Sequence, residues 1–233
     1  MESVVRFRGA VCLLGRFPAL AGVDLDVSAG EIVLLQGPNG AGKTTVLRAC
    51  AGLVPVVGGE ASVLGVDLRR DHRAVRPKVG LLGHSSGLYE DMTVADNVRF
   101  WTRACHGRPA DAEAALARLG LDGRLADVTV SRLSAGQRRR ASLAVLLARR
   151  PRLWLLDEPH AALDREGRDL LDSLMRDAVA AGATVLFASH ELDRAVDVAD
   201  RSVHLLGGTA AASSALNVDP HAAEPHRVEV AHV

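Results

Sequence analysis

The stretch Gly37-Pro38-Asn39-Gly40-Ala41-Gly42-Lys43-Thr44-Thr45 constrains this chain more than any other, because two of its glycines bracket four residues and a Lys-Thr pair follows at once. A loop of that spacing turns tightly and points successive backbone N–H groups inward, making a nest for phosphate at the positive end of a helix. The flanks suit the geometry: Glu31-Ile32-Val33-Leu34-Leu35 reads as a strand, and Thr45 to Ala51 reads as a helix. In such a loop Lys43 reaches the outer phosphates and the Thr44 hydroxyl ligates Mg²⁺, so Gly37 to Thr45 is expected to hold a nucleoside triphosphate.

Further chemistry is expected at the ends of other strands. The apolar run Leu153-Trp154-Leu155-Leu156 reads as a central parallel strand ending in Asp157-Glu158, and carboxyl ends of such strands are where open α/β sheets bind ligands. Asp157 is assigned to Mg²⁺, through water, and Glu158 to orienting and deprotonating the attacking water. Thr184 to Ala188 forms a second apolar strand that closes on Ser189-His190, where a neutral imidazole can hydrogen-bond a terminal phosphate or the water. Ser134, in Leu133-Ser134-Ala135-Gly136-Gln137, is placed to cap a helix running to about Arg149 and stopped by Pro151, and the N–H groups of its first turn can face an anion. Taken alone, Asp164 reads as the N-cap of a helix over Arg165 to Ala181.

The rest of the chain frames these sites. Apolar residues alternate from Ser3 to Val27, which predicts short antiparallel strands. Leu53 to Gly59 reads as a loop, Glu60 to Leu68 as a strand and turn, Val79 to Leu82 as a buried strand and Gly83 to Asp91 as a polar loop. Two helices follow, one from Thr93 and one from near Ala110, the second stopped by Gly120. From Gly207 the chain is rich in Ala, His and Ser with little periodicity, so residues 208–233 are expected to be a loosely ordered tail.

Composition narrows the partners. Lys+Arg and Asp+Glu number 28 each, which gives no push toward nucleic acid. The clusters Arg138-Arg139-Arg140 and Arg149-Arg150 fall on predicted helices and are expected on solvated faces. No apolar run approaches the roughly 18 residues of a membrane span, so no transmembrane segment is expected. The start of the chain lacks the pattern of a secretory signal. Three scattered cysteines suit reduced thiols, and Cys105 reads as a small buried hydrophobe.

In order and approximate spacing, Gly37 to Thr45, Leu133 to Gln137, Leu153 to Glu158, Leu163-Asp164 and His190 resemble the nucleotide-binding domain of ABC ATPases, from about Val5 to Gly207. The resemblance implies an α/β P-loop NTPase fold over residues 1–207, with a central, mostly parallel sheet, an N-terminal antiparallel β subdomain and an inserted α-helical lobe at about 84–150. It implies ATP and Mg²⁺ as ligands, with Lys43, Glu158 and His190 catalytic. It also implies a head-to-tail pair of copies, in which Ser134 and Gly136 of one chain contact the γ-phosphate held by the other and Asp164 lies nearby. Integral membrane permease subunits are the further partners implied, with this chain on the cytoplasmic side of the cell membrane.

A narrower resemblance is carried by His84, which stands where the usual glutamine is expected in Leu82-Gly83-His84-Ser85-Ser86-Gly87-Leu88, and by Ala135 in the signature stretch. Both are similar to the ATPase subunit of the haem exporters of cytochrome c maturation, which implies haem as cargo, with a drug or antibiotic exporter subunit as the alternative and a soluble, non-transport ABC ATPase as the further one. The adenine-stacking aromatic of the family aligns with Leu14, so stacking is expected to be weaker or supplied by Phe17.

Overall fold

The alternating apolar residues near the N-terminus build two long strands, β1 (Ser3–Leu14) and β2 (Phe17–Ser28), not the short ones expected. They pair antiparallel, with register shifts along the way that let both strands curve without breaking. Next come β3 (Ile32–Gln36), α1 (Lys43–Cys50), β4 (Val56–Val63), β5 (Val66–Asp67) and the single turn α2 (Leu68–Asp71). β4 starts inside the stretch expected to be a loop, because β1 supplies a ready partner edge from Val5 to Cys12. The strands of this first sheet lie in the order β2-β1-β4-β5.

β6 (Val79–Leu82) precedes the helices α3 (Val94–Ala104), α4 (Pro109–Arg118) and α5 (Ala135–Arg149). The chain then returns through β7 (Leu153–Asp157), α6 (Arg165–Ala180), β8 (Thr184–Ala188), α7 (Leu192–Val198), β9 (Arg201–Leu206) and β10 (Thr209–Ala215). The second sheet has the order β10-β9-β3-β8-β7-β6, and all its pairings are parallel except that of β10 with β9. The structure describes residues 2–215 and is a computed structural model.

The two faces of this sheet feed two cores. Val33, Leu35, Leu153, Leu155 and Leu186 pack with Val46, Leu47 and Cys50 of α1 and with the first sheet, so α1 lies between the sheets. Their sequence neighbours Leu34, Trp154, Leu156, Val185 and Phe187 pack on the other side with the helices α3 to α6. Burial on both faces explains why β3, β7 and β8 are continuous apolar runs without polar alternation. Register brings their carboxyl ends level, with Ala188 opposite both Leu35 and Asp157.

Three further expectations need correction. The sheet continues past Gly207, since Thr209 to Ala215 add β10 by pairing with β9, and only residues 216–233 of the expected tail lie outside the described residues. Cys105 is only half-buried and accepts a hydrogen bond from Arg149 Nε at 3.0 Å. Arg139 is not on a solvated face, as described below.

Candidate functional site

β3 delivers the chain into a loop that two other strands press upon. Gly37 has φ 142°, and a Cβ there would stand 2.3 Å from the carbonyl oxygen of Leu205 on β9. Gly42, the N-cap of α1, has φ 102°, and its Cβ would meet Leu20 Cδ2 at 2.8 Å and Ala19 O at 3.0 Å on β2. Only glycine fits both places, which is the physical content of the spacing in the sequence. α1 begins without a side-chain cap and without an acidic residue in its first turn, so its free N–H groups and positive dipole end are uncompensated.

Lys43 is 8% exposed, and its ammonium donates to the carbonyls of Gly37 at 2.7 Å and Pro38 at 3.2 Å. An ammonium has three donors, so these contacts pin it over the loop with one still to give. The Thr44 hydroxyl donates to Asp157 Oδ2 at 2.8 Å, bringing two hard oxygens together. Glu158 leaves β7 with a left-handed backbone, φ 47°, a conformation that costs a non-glycine residue about 1–3 kcal/mol. That turn sends its carboxylate toward β8, where Oε2 accepts the His190 amide at 3.0 Å and Oε1 lies 3.3 Å from His190 Nε2.

These groups share one open cleft of about 450 Å³. Asn39, Gly40, Ala41, Gly42, Lys43, Thr44, Thr45, Asp157, Glu158 and His190 all line it, while Gly37 and Pro38 support it through their carbonyls to Lys43. Leu14, Ala19, Arg48 and His84 line it as well. Phe17 is 79% exposed and is not among the lining residues, so Leu14 is the larger apolar contact there.

Ser134, Gly136 and Asp164 do not line that cleft. Ser134 caps α5 in a reciprocal box, its Oγ accepting Gln137 N at 3.2 Å while Gln137 Oε1 accepts Ser134 N at 3.0 Å. A Cβ on Gly136 would lie 3.0 Å from Ala162 O, so this tip packs against the loop that leads to α6. Asp164 caps α6 by accepting Gly167 N at 2.8 Å, and its carboxylate pairs with Arg140 at 3.1 Å. The Gly167 amide first and the Arg140 guanidinium second hold the Asp164 carboxyl below the usual carboxylate range.

Arg139 is the residue that sequence reasoning missed. It turns inward and donates to the backbone carbonyls of Gly83, Asp157, Glu158 and Pro159. Burial pushes its pKa down to about 10, while the Asp157 and Glu158 carboxylates pull the other way. A signal was present: Arg139 stands four residues before Leu143 and seven before Leu146, both buried, and so belongs to the inward stripe of α5.

Residues 20–161 match the protein family described as "ABC transporter". The chain belongs to the ABC transporter family. It is 42% identical over 183 residues to the cytochrome c biogenesis ATP-binding export protein CcmA of Rhodopseudomonas palustris (strain BisB18), a match that covers 78% of this chain and 90% of that protein. A solved structure of an ATP binding subunit of an ABC transporter superposes with a TM-score of 0.85 at 26% identity, covering 91% of this chain and 90% of the other. A dimeric ATP-binding cassette in a post-hydrolysis state, bound to ADP and Pi, superposes with a TM-score of 0.80 at 25% identity, covering 91% and 99%. As an ABC ATPase the chain binds ATP and hydrolyses it. Among the described residues, no helix is long and apolar enough to cross a membrane.

Proposed function

We propose that this ABC ATPase works as a head-to-tail pair of copies beneath integral membrane permease subunits, on the cytoplasmic side of the cell membrane, and that its cargo is haem for cytochrome c maturation. The observation that carries the catalytic part is the cleft itself, where a buried lysine in a glycine cradle, a Thr44–Asp157 oxygen pair and a Glu158–His190 pair face one volume. The amides of Gly37 to Thr45 and the Lys43 ammonium hold the β- and γ-phosphates of ATP. Thr44 directly, and Asp157 through water, would hold Mg²⁺. Among the described residues no group of three or more His, Cys, Asp or Glu side chains could hold a metal alone, and Mg²⁺ needs no more than one or two carboxylates plus substrate phosphates. When bound, Mg²⁺ neutralises charge on the phosphate oxygens.

Glu158 accepts the proton of the attacking water, and His190 keeps that carboxylate oriented while reaching for the terminal phosphoryl group. Ser134 and Gly136 complete the site from the second copy, since neither lines the cleft of its own chain, and Asp164 lies at the same face. Closure on ATP and release after hydrolysis then give the power stroke to the membrane subunits. A role in cytochrome c biogenesis is supported by the similarity to the cytochrome c biogenesis ATP-binding export protein CcmA of Rhodopseudomonas palustris, and haem as the cargo by the resemblance that His84 and Ala135 carry. The test is complementation of a strain that lacks its own CcmA protein. The chain is expected to restore c-type cytochromes, and the Glu158→Gln variant is not. Restoration of drug efflux without c-type cytochromes would contradict the cargo.

A further inference from the structure

The pairing of β6 with β7 stops at Leu82 opposite Leu156. At the next step, where Gly83 and Asp157 would continue the ladder, the guanidinium of Arg139 stands between the two strands. Its Nη1 donates to Gly83 O at 2.9 Å, its Nε to Pro159 O at 3.2 Å, and its Nη2 to Asp157 O at 3.1 Å and to Glu158 O. Three consecutive carbonyls of the turn that carries the site carboxylates therefore converge on one planar group. Glu158 is the member of that turn with a left-handed backbone, φ 47°, so its conformation persists only if its surroundings hold it. Its amide is held by Ala188 O at 2.9 Å, its carboxylate by His190, and its carbonyl by Arg139. Gly83 is the root of the loop that carries His84 into the cleft.

We propose that Arg139 is a positioning residue for ATP hydrolysis: it staples the frayed ends of β6 and β7, sets the backbone from which Glu158 reaches the attacking water, and ties that backbone to α5. The inference rests on the reading of Glu158 as the base. Arg139 and Ser134 stand on the same helix, so the tip offered to the second copy and the turn bearing Glu158 are joined through one side chain. A guanidinium has five donors in a fixed fork and can span four carbonyls, which a compact ammonium cannot.

The test uses the full chain with Arg139→Met, Arg139→Lys, Glu158→Gln and the Arg139→Met/Glu158→Gln double variant, measuring kcat and KM for ATP. Arg139→Met is expected to lower kcat about 100-fold, the scale of a misplacement near 1 Å, with KM unchanged. In the Glu158→Gln background the same change is expected to lower the residual rate no further, because a residue that acts through Glu158 has nothing left to act on. An unchanged kcat in Arg139→Met, a rise in KM in step with the fall in kcat, or a further fall in the Glu158→Gln background would overturn the proposal. Should Arg139→Met not yield folded chain, Arg139→Lys decides: kcat lowered at constant KM sustains the staple, and any other result removes it. Full turnover in Glu158→Gln would remove both the base and the staple, whereas lost turnover there with full turnover in Arg139→Met removes the staple alone.

Discussion

At the start of α1 the free backbone N–H groups open into a cleft lined by Lys43 and two site carboxylates, whereas at the start of α5 they lie on exposed surface beside a capping serine. The two ends share one feature. α1 and α5 are the described α-helices with no acidic residue in the first turn, while α2, α3, α4, α6 and α7 carry Asp71, Asp96, Asp111, Glu166 and Asp193 there. An acid in the first turn compensates the positive end of a helix dipole, and its omission at two places keeps two positive ends available for an anion. The difference lies in what surrounds them. Around α1 stand the buried lysine, the Thr44–Asp157 oxygen pair and the Glu158–His190 pair, and α5 has none of these. In the proposed head-to-tail pair, one triphosphate is served by both ends, each from a different copy.

The predictions separate the two ends, and the largest effect is expected at α1. Lys43→Ala removes the buried ammonium, whose charge no amide of the loop replaces, and is expected to abolish ATP binding in a calorimetric titration. ATP bound at parental affinity would show that the loop alone holds the triphosphate. Glu158→Gln leaves binding intact and lowers turnover by about 100-fold or more, as loss of a general base does. A stable, ATP-dependent dimer is expected to accumulate, visible by size exclusion. Turnover that survives this change would move the base elsewhere.

At α5 the expected effects are narrower. Ser134→Asp keeps the N-cap, because aspartate caps as well as serine and suits the helix dipole, so the melting temperature is expected to hold. The added carboxylate repels a triphosphate presented by a second copy, so ATP-driven dimerisation is expected to vanish. Dimers that still form would free this tip of any role at the interface. Asp164→Ala, next to it, is expected to act through stability. The folded-state pKa of Asp164 is depressed, so its contribution is present above the unfolded value near ~3.9 and is lost as pH falls through the folded value. The variant should melt below the parent at pH 7, with the gap closing in acid on calorimetry. A gap of constant size would deny the carboxylate its charged role.

The cleft was legible in the sequence because its parts are local. A glycine spacing and apolar runs closing on Asp157-Glu158 and on Ser189-His190 each declare themselves within a few residues. What escaped depends on partners distant in the chain. β10 is built from alanine, serine and threonine, poor in strand-forming residues, and forms because β9 offers an edge. β4 begins at Val56 because β1 lies beside it. Arg139 sits inside a triplet whose neighbours Arg138 and Arg140 pair with Glu90 and Asp164, so composition alone reads all three as surface charge. Its inward role follows from three carbonyls of the turn after β7, distant in the chain and absent from any local pattern.

In the proposed pair, each ATP is held between the α1 end of one copy and the α5 end of another. Mixing the Lys43→Ala and Ser134→Asp chains, each also carrying Glu158→Gln so that hydrolysis does not reopen the pair, tests it most directly, because a hetero-pair has one intact composite site and one with both halves broken. With ATP present, the mixture is expected to form a dimer containing one of each chain, while neither variant dimerises alone. A mixture that stays monomeric, or a Ser134→Asp chain that pairs with itself on ATP, would contradict the account.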